Sequence, residues 1–322
     1  MSLSGNPLVS IITPSYQQAA FLEQTMRSVL DQDYPNIEYI VVDGGSSDGS
    51  LEIIQKYAGK LAWWVSEKDN GQAEAINKGV ARAKGEIIAW VNSDDLYLPG
   101  AISEAVKILQ QNPEAGFVFG NVRVLDAGNR VLNELHYGRW GLRELMSFHI
   151  IGQPAVFMRR SALPEDGFLD PSYHFLLDHQ LWLRIAINHP IVYQPQFWAA
   201  AHYHQDAKNL AQAAKFGAEA LRMAEWMKTS PQFAAQYLQH ANEIIAGAER
   251  TNGFYLLDAE QYQLAFKAYM RAFFHHPGTA LQDWYRVGYA LLAPLGLKGL
   301  KQRRLKNRAR RLNQESDVRG TK

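Results

Sequence analysis

The run Ile87-Ile88-Ala89-Trp90-Val91-Asn92-Ser93-Asp94-Asp95 governs how the rest of the chain is read. Five apolar residues in succession, entered from Lys84-Gly85-Glu86, describe a strand buried on both faces, the habit of a parallel sheet covered by helices. Its carboxyl end, where open α/β sheets bind ligands, then carries two adjacent carboxylates. Side by side they repel, so the pair calls for a cation, a hydrogen-bond donor or water. A divalent metal holding a diphosphate would supply the cation. The plainer alternative makes Asp94 and Asp95 turn and N-cap residues before Leu96-Tyr97-Leu98-Pro99-Gly100.

Upstream, Val9-Ser10-Ile11-Ile12-Thr13 is a β-branched run closed by Pro14, and Phe21, Leu22, Met26, Val29 and Leu30 follow at helical spacing. A second strand over residues 37–42 ends in Asp43-Gly44-Gly45-Ser46-Ser47-Asp48-Gly49, and a helix starts at Leu51. A third strand, 61–65, leads through Asp69-Asn70-Gly71-Gln72 into a helix that turns Ala75, Ile76, Val80 and Ala83 inward; another helix follows over 101–110. Four alternations of strand and helix predict right-handed βαβ units and a mostly parallel sheet with helices on both faces. Asp43, Asp69 and Asp95 then share one edge of it. The glycine-rich loop after Asp43 matches neither the dinucleotide fingerprint nor the phosphate loop. Its acids and serines suit nucleoside hydroxyls and imides, and the alternative is an ordinary strand-to-helix turn.

After Pro113 the pattern changes to short strands of mixed direction at 117–120, 122–126 and 131–135, a helix over 140–147, and a strand over 155–158. A helix over 176–185 carries Asp178 and His179 in its first turn, where the simplest role for Asp178 is an N-cap. Strands at 191–193 and 198–201 lead to His202-Tyr203-His204, of which at most one histidine faces the sheet edge. Beyond that, helices are expected over 211–227, 233–248, 259–274 and 280–292. The expected division is a catalytic α/β domain over 1–210, a helical region over 211–297 and a basic tail over 298–322. The hairpin around Tyr262, Ala265, Ala268 and Ala272 resembles half a tetratricopeptide unit, but no second copy marks a repeat.

Hydrophobic residues make up 47% of the chain, which supports a packed core rather than disorder. There is no cysteine, which removes disulfides and thiolate metal sites. The net charge of +1 hides an asymmetry: residues 1–297 hold 23 Lys and Arg against 30 Asp and Glu, a net of −7. An acidic body argues against nucleic acid as a partner. Residues 298–311 contain eight Lys or Arg and no acid, just after Trp284, Tyr285, Tyr289, Leu291 and Leu292. That order describes an interfacial anchor on an anionic leaflet, against the alternative of a solvated basic tail. Residues 1–5 show no signal-peptide pattern, and residues 289–297 are too short and too broken by Pro294 and Gly296 to span a bilayer. A cytoplasmic protein at the inner face of the plasma membrane is therefore expected.

Four motifs in order and spacing resemble the family-2 glycosyltransferases of the GT-A fold, of the kind that builds bacterial surface polysaccharides. They are Ser10-Ile11-Ile12-Thr13-Pro14-Ser15-Tyr16 with Ser28-Val29-Leu30-Asp31-Gln32; Val41-Val42-Asp43-Gly44-Gly45-Ser46-Ser47-Asp48-Gly49-Ser50; Asp69-Asn70-Gly71-Gln72 through Ala75-Ile76-Asn77-Lys78-Gly79; and Asn92-Ser93-Asp94-Asp95. The likeness is strong over 7–125, weaker to about 210, and absent from the helical tail. It implies that Thr13, Pro14 and Tyr16 flank a nucleotide, that Asp43 binds the base, and that Asp69 lies near base and ribose. Ser46, Gln72 and Asn77 are assigned to the same nucleotide-sugar site. Ser93-Asp94-Asp95 is the DXD-type motif, with Asp94 on ribose or sugar and Asp95, aided by His204, on a divalent Mn or Mg. Asp178 corresponds to the catalytic base, with Leu177 where many relatives carry Glu. Gln153, His179 and His202 fall near the acceptor or the departing phosphate, His202 standing where relatives often carry Arg.

The resemblance implies an inverting, metal-dependent hexosyltransferase. The expected donor is a UDP-sugar, with dTDP- or GDP-sugars as alternatives, and the acceptor a saccharide or lipid-linked saccharide in cell-surface polysaccharide or lipopolysaccharide synthesis. Two other classes compete. A sugar nucleotidyltransferase would need a basic or glycine-rich triphosphate loop, and none lies between Thr13 and Phe21. A non-catalytic nucleotide-sugar-binding module should have lost Asp95 or Asp178, and both are present.

Overall fold

The alternation of the first 111 residues is realised in the computed structural model, which describes residues 3–203 and 212–295. Strands β1 (Val9–Ser15), β2 (Ile37–Asp43), β3 (Trp63–Ser66) and β4 (Ile87–Trp90) are joined by helices α1 (Ala19–Leu30), α2 (Ser50–Tyr57) and α3 (Gln72–Arg82). They stand in the order β3-β2-β1-β4, all parallel, and β1 and β4 are buried along their whole length. The parallel registers set Ser15, Asp43 and Ser66 side by side at one edge.

Beyond β4 the strand directions mix. β8 (Val156–Arg159) runs antiparallel to β4, and β6 (Phe117–Leu125) antiparallel to β8. β9 (Ile191–His202) pairs in parallel with β6, and β5 (Asp95–Tyr97) closes the edge antiparallel to β9. β7 (Val131–Leu135) pairs with β6 off this path. Two expectations are corrected here. The strands expected at 117–120 and 122–126 are one strand, as are those at 191–193 and 198–201. Register shifts between Phe119 and Val122 absorb the break, where the ring of Trp198 lies 2.7 Å from a methyl position on Gly120. Asp95 is neither a loop residue nor an N-cap: it opens β5 opposite Ala201, while Gly100 precedes α4 (Ala101–Gln111).

The chain forms two compact units, one of residues 1–125, 134–140 and 151–202, the other of 126–133, 141–150 and 203–322. The first holds the sheet and its core, with the indoles of Trp90 and Trp182 stacked at 5.3 Å. Trp182 lies on α6 (Leu177–Ala186), so this stack docks the helix that carries Asp178 against the end of β4.

The second unit contains α5 (Leu142–Met146), α7 (Ala213–Thr229), α8 (Ala234–Asp258), α9 (Tyr262–His275), α10 (Pro277–Leu281) and α11 (Trp284–Leu292). α8 runs ten residues past the expected end at 248, with a kink at His240. Apolar periodicity misses that extension because its inward positions include charges satisfied by partners: Glu249 pairs with Arg271 at 2.6 Å, and Arg250 with Asp283 at 3.5 Å. The helix expected over 280–292 is two, parted at Gln282 and Asp283.

Candidate active site

Side chains at the ends of β2 and β3, joined by the turn after β1, form a hydrogen-bonded edge. Asp43, fully buried, accepts bonds from the Gly45 and Ser46 amides at 3.1 and 2.9 Å and from the Ser46 and Ser66 hydroxyls, each at 2.6 Å. Four donors satisfy a carboxylate that water does not reach. The Gln17 amide donates to Ser46 Oγ at 2.8 Å, tying the turn after β1 to this loop and leaving the Tyr16 ring 62% exposed beside it. Asp69 accepts from the Gly71 amide at 2.8 Å, and its other oxygen lies 2.8 Å from where a methyl group on Gly44 would stand. Glycine at position 44 is what admits Asp69 to the edge.

Besides Asp43, two residues assigned to the nucleotide have their polar groups committed inside the protein. Thr13 is fully buried, its hydroxyl 2.9 Å from that of Tyr39, whose phenol burial pushes well above its ordinary pKa. The Asn77 amide bonds the backbone of Leu169 in both directions at 2.9 Å, bracing the segment that leads to α6. Pro14 lies within β1 opposite Val42.

The acid pair sits in a turn fixed from three sides. The Asp95 amide donates to the Asn92 carbonyl at 3.0 Å, and the Thr25 hydroxyl of α1 is shared between the carbonyls of Ser93 and Asp95 at 2.9 and 2.8 Å. His202 Nδ1 donates to the Asp94 carbonyl at 2.6 Å, with its ring on Phe21 at 5.1 Å. From the third side Gln72 Nε2 donates to Asn92 Oδ1 at 2.8 Å, and Asn92 Nδ2 to Asp95 Oδ2 at 3.2 Å. Asp95 is 6% exposed; burial first, and the neighbouring charge of Asp94 second, push its carboxyl well above the usual carboxylate range.

On the other flank, Gln153 donates through Nε2 to the Trp90 carbonyl at 2.7 Å, while its buried Oε1 has no partner among the described residues. Gly152 before it leaves no room for a side chain, because the Tyr137 hydroxyl occupies that space. Burial, and to a lesser degree the charge of Asp178, push the Tyr137 phenol up, and Asp178 itself is half-buried. Asp178 lies in the first turn of α6, whose N-cap is Leu176, so the N-cap role is not the one it plays. His179 is fully buried on the inner side of α6. His204 lies outside the described residues.

Residues 10–165 match the model of the family described as glycosyl transferase family 2. The chain carries a family-2 glycosyltransferase domain. Four Rickettsia glycosyltransferases, named as uncharacterized, are 28–40% identical over 33–62% of this chain, which spans only 19–35% of their length. A Bacillus subtilis protein named for teichuronic acid biosynthesis, TuaG, is 37% identical over 33% of this chain and 43% of its own. Among solved structures, Staphylococcus aureus TarS 1–349 in complex with UDP-GlcNAc is similar with a TM-score of 0.58 at 15% identity, covering 87% of this chain and 92% of that one. The Pyrobaculum calidifontis mannosyltransferase PcManGT, in complex with GDP-Man and Mn²⁺, gives 0.56 at 22% identity, over 91% and 88%. These likenesses show the fold, an α/β GT-A-like architecture with a helical C-terminal region.

Within the family-2 domain, the turn of Asp94 and Asp95 fits a divalent cation. Its donors are hard carboxylate oxygens, and the penalty on Asp95 comes from burial and like charge, both of which a cation would relieve. Among the described residues no group of three or more His, Asp or Glu side chains is placed to hold a metal ion by itself. Sequence reasoning missed Thr25, Ser66 and Tyr137. None lies in a motif, and each reaches the site through pairing or packing across the sheet. Asn92, which begins the acid run, is the one supporting residue that position alone could have pointed to.

Proposed function

We propose that the chain transfers a sugar from a nucleotide-diphospho-sugar to a hydroxyl of a saccharide or lipid-linked saccharide, with inversion, in cell-surface polysaccharide synthesis. The observation that carries this reading is the buried Asp95 beside Asp94, held by Thr25, Asn92 and His202 on the strand edge where Ser15 and Asp43 also end. Similarity to TuaG and to the fold of TarS supports it.

In this reading the loops after β1, β2 and β3 take the nucleoside, with Tyr16 laid over the base and Asp69 and Ser46 toward its polar edge and ribose. Asp95, with His204, would hold a divalent Mn or Mg, and Asp94 contacts the ribose or sugar. When bound, that cation neutralises charge developing on the leaving diphosphate. Asp178 takes the proton from the acceptor hydroxyl as its oxygen bonds to the anomeric carbon. The bond from that carbon to the phosphate oxygen breaks on the opposite face, so configuration inverts. Gln153, fixed to Trp90, stands beside the departing phosphate. The basic tail, 298–322, brings the enzyme to the inner face of the membrane, where a lipid-linked acceptor would be presented.

The test is a thermal-shift screen against UDP-, GDP-, dTDP- and CMP-sugars with Mn²⁺, Mg²⁺ or EDTA, since a ligand that binds only the native state raises its midpoint. A metal-dependent shift with one nucleotide, and turnover lost in Asp178→Asn while that shift remains, is the expected result. Turnover unchanged in Asp178→Asn would remove the role given to that residue.

A further inference from the structure

Helix α11 has two faces that are both apolar. Its inner side places Ala290, with Val287 and Tyr289, against the core formed by Leu256, Leu257, Ala265, Ala268 and Tyr269. Its outer side leaves Trp284 69%, Tyr285 36%, Leu291 56% and Leu292 41% exposed, and Leu281 just before it is 54% exposed. Positions 284, 285, 291 and 292 fall on one stripe of α11, with Gly288 between them. Isolated exposed leucines are ordinary; a continuous stripe with a tryptophan is an interaction surface.

The charges around the stripe narrow the partner. Asp283, which precedes α11 in sequence, is neutralised by Arg250 at 3.5 Å and Arg286 at 3.6 Å. In sequence the stripe is followed by the eight bases of 298–311, whereas residues 1–297 carry a net −7. A second copy seated on the same stripe would bring two such basic segments together. A surface of spread negative charge over an apolar interior satisfies both features at once.

We infer that the outer face of α11 docks on an anionic lipid bilayer, with Trp284, Tyr285, Leu291 and Leu292 entering the headgroup–acyl boundary, and that the positive charge of the sequence after it selects anionic headgroups. Among the described residues no helix is long and apolar enough to cross a membrane, so the contact lies in the interface plane. This deepens the membrane contact proposed for the basic tail and does not depend on sugar transfer.

The test is co-sedimentation of the full chain with vesicles of phosphatidylcholine alone or mixed with phosphatidylglycerol. Binding is expected only where phosphatidylglycerol is present, falling about 10-fold or more both in Trp284→Ser with Leu291→Ser and in Arg303→Glu with Arg304→Glu. Both positions of the first variant are exposed, so it should melt like the parent, and the nucleotide-sugar shift should survive in both. Undiminished vesicle binding by the serine variant would overturn the inference. So would a chain that binds no vesicles and dimerises through residues whose change to serine yields monomers. Vesicle binding without any nucleotide-sugar shift would instead count against the transferase reading alone.

Discussion

The hydroxyl of Thr25 lies 2.8 Å from the carbonyl oxygen of Asp95, and this bond between residues 70 positions apart fastens the first helix to the acid turn. Thr25→Val keeps the shape and removes the donor, leaving two buried carbonyls without it. Stability should fall by about 1–2 kcal/mol, read as a lower urea midpoint. Metal-dependent nucleotide binding should weaken with it, since the turn loses one of its three fastenings.

Asp95→Asn should separate stability from function. At neutral pH the buried carboxylate beside Asp94 is a liability in the metal-free protein, and the amide removes that charge without changing shape. The metal-free melting temperature should hold or rise, while stabilisation by Mn²⁺ with nucleotide disappears. Calorimetry of both forms with EDTA and with Mn²⁺ checks the pair of outcomes. A metal response equal to the parent's would remove Asp95 as a ligand.

The helical unit should weaken below neutral pH through His149. Burial, and then the charge of Arg250, push its imidazole below the ordinary value of 6.5. The unfolded chain therefore takes up the proton first as pH falls. The stabilisation is complete above about pH 6.5 and is lost as pH falls from there through the lowered folded value. Urea midpoints followed from pH 8 to 5 should decline in this window, and His149→Gln should flatten the decline.

Gly247→Ala should be among the most damaging single changes in the helical unit. A methyl group there would stand 2.6 Å from the carbonyl carbon of Ser147, which is backbone and does not yield. A cost of about 2–3 kcal/mol is expected. Alanine is otherwise the better helix former, so a neutral result in thermal melts would show that the contact relaxes.

Much of the first half of the fold was legible because its signals are local. Apolar runs such as Ile87–Trp90 mark strands buried on both faces, and the spacing of Leu22, Met26 and Val29 marks the helix between them. The elements misjudged are those whose chemistry is settled by distant partners. β6 and β9 each continue through a bulge because Trp198 packs on Gly120, and α8 continues because Arg271 and Asp283 neutralise its charged inner positions.

The sequence alone determined the alternating α/β architecture, the edge that gathers Asp43, Asp69 and Asp95, and the family resemblance, because parallel βαβ units place successive strand ends together. Only the tertiary structure decided what those residues are doing. Asp43 is satisfied by Ser46 and Ser66, Thr13 and Asn77 are committed to Tyr39 and Leu169, and Asp95 opens an edge strand under Thr25 and His202. The reason is that a polar side chain's role depends on which donors and acceptors surround it, and those neighbours come from segments tens of residues away in the chain.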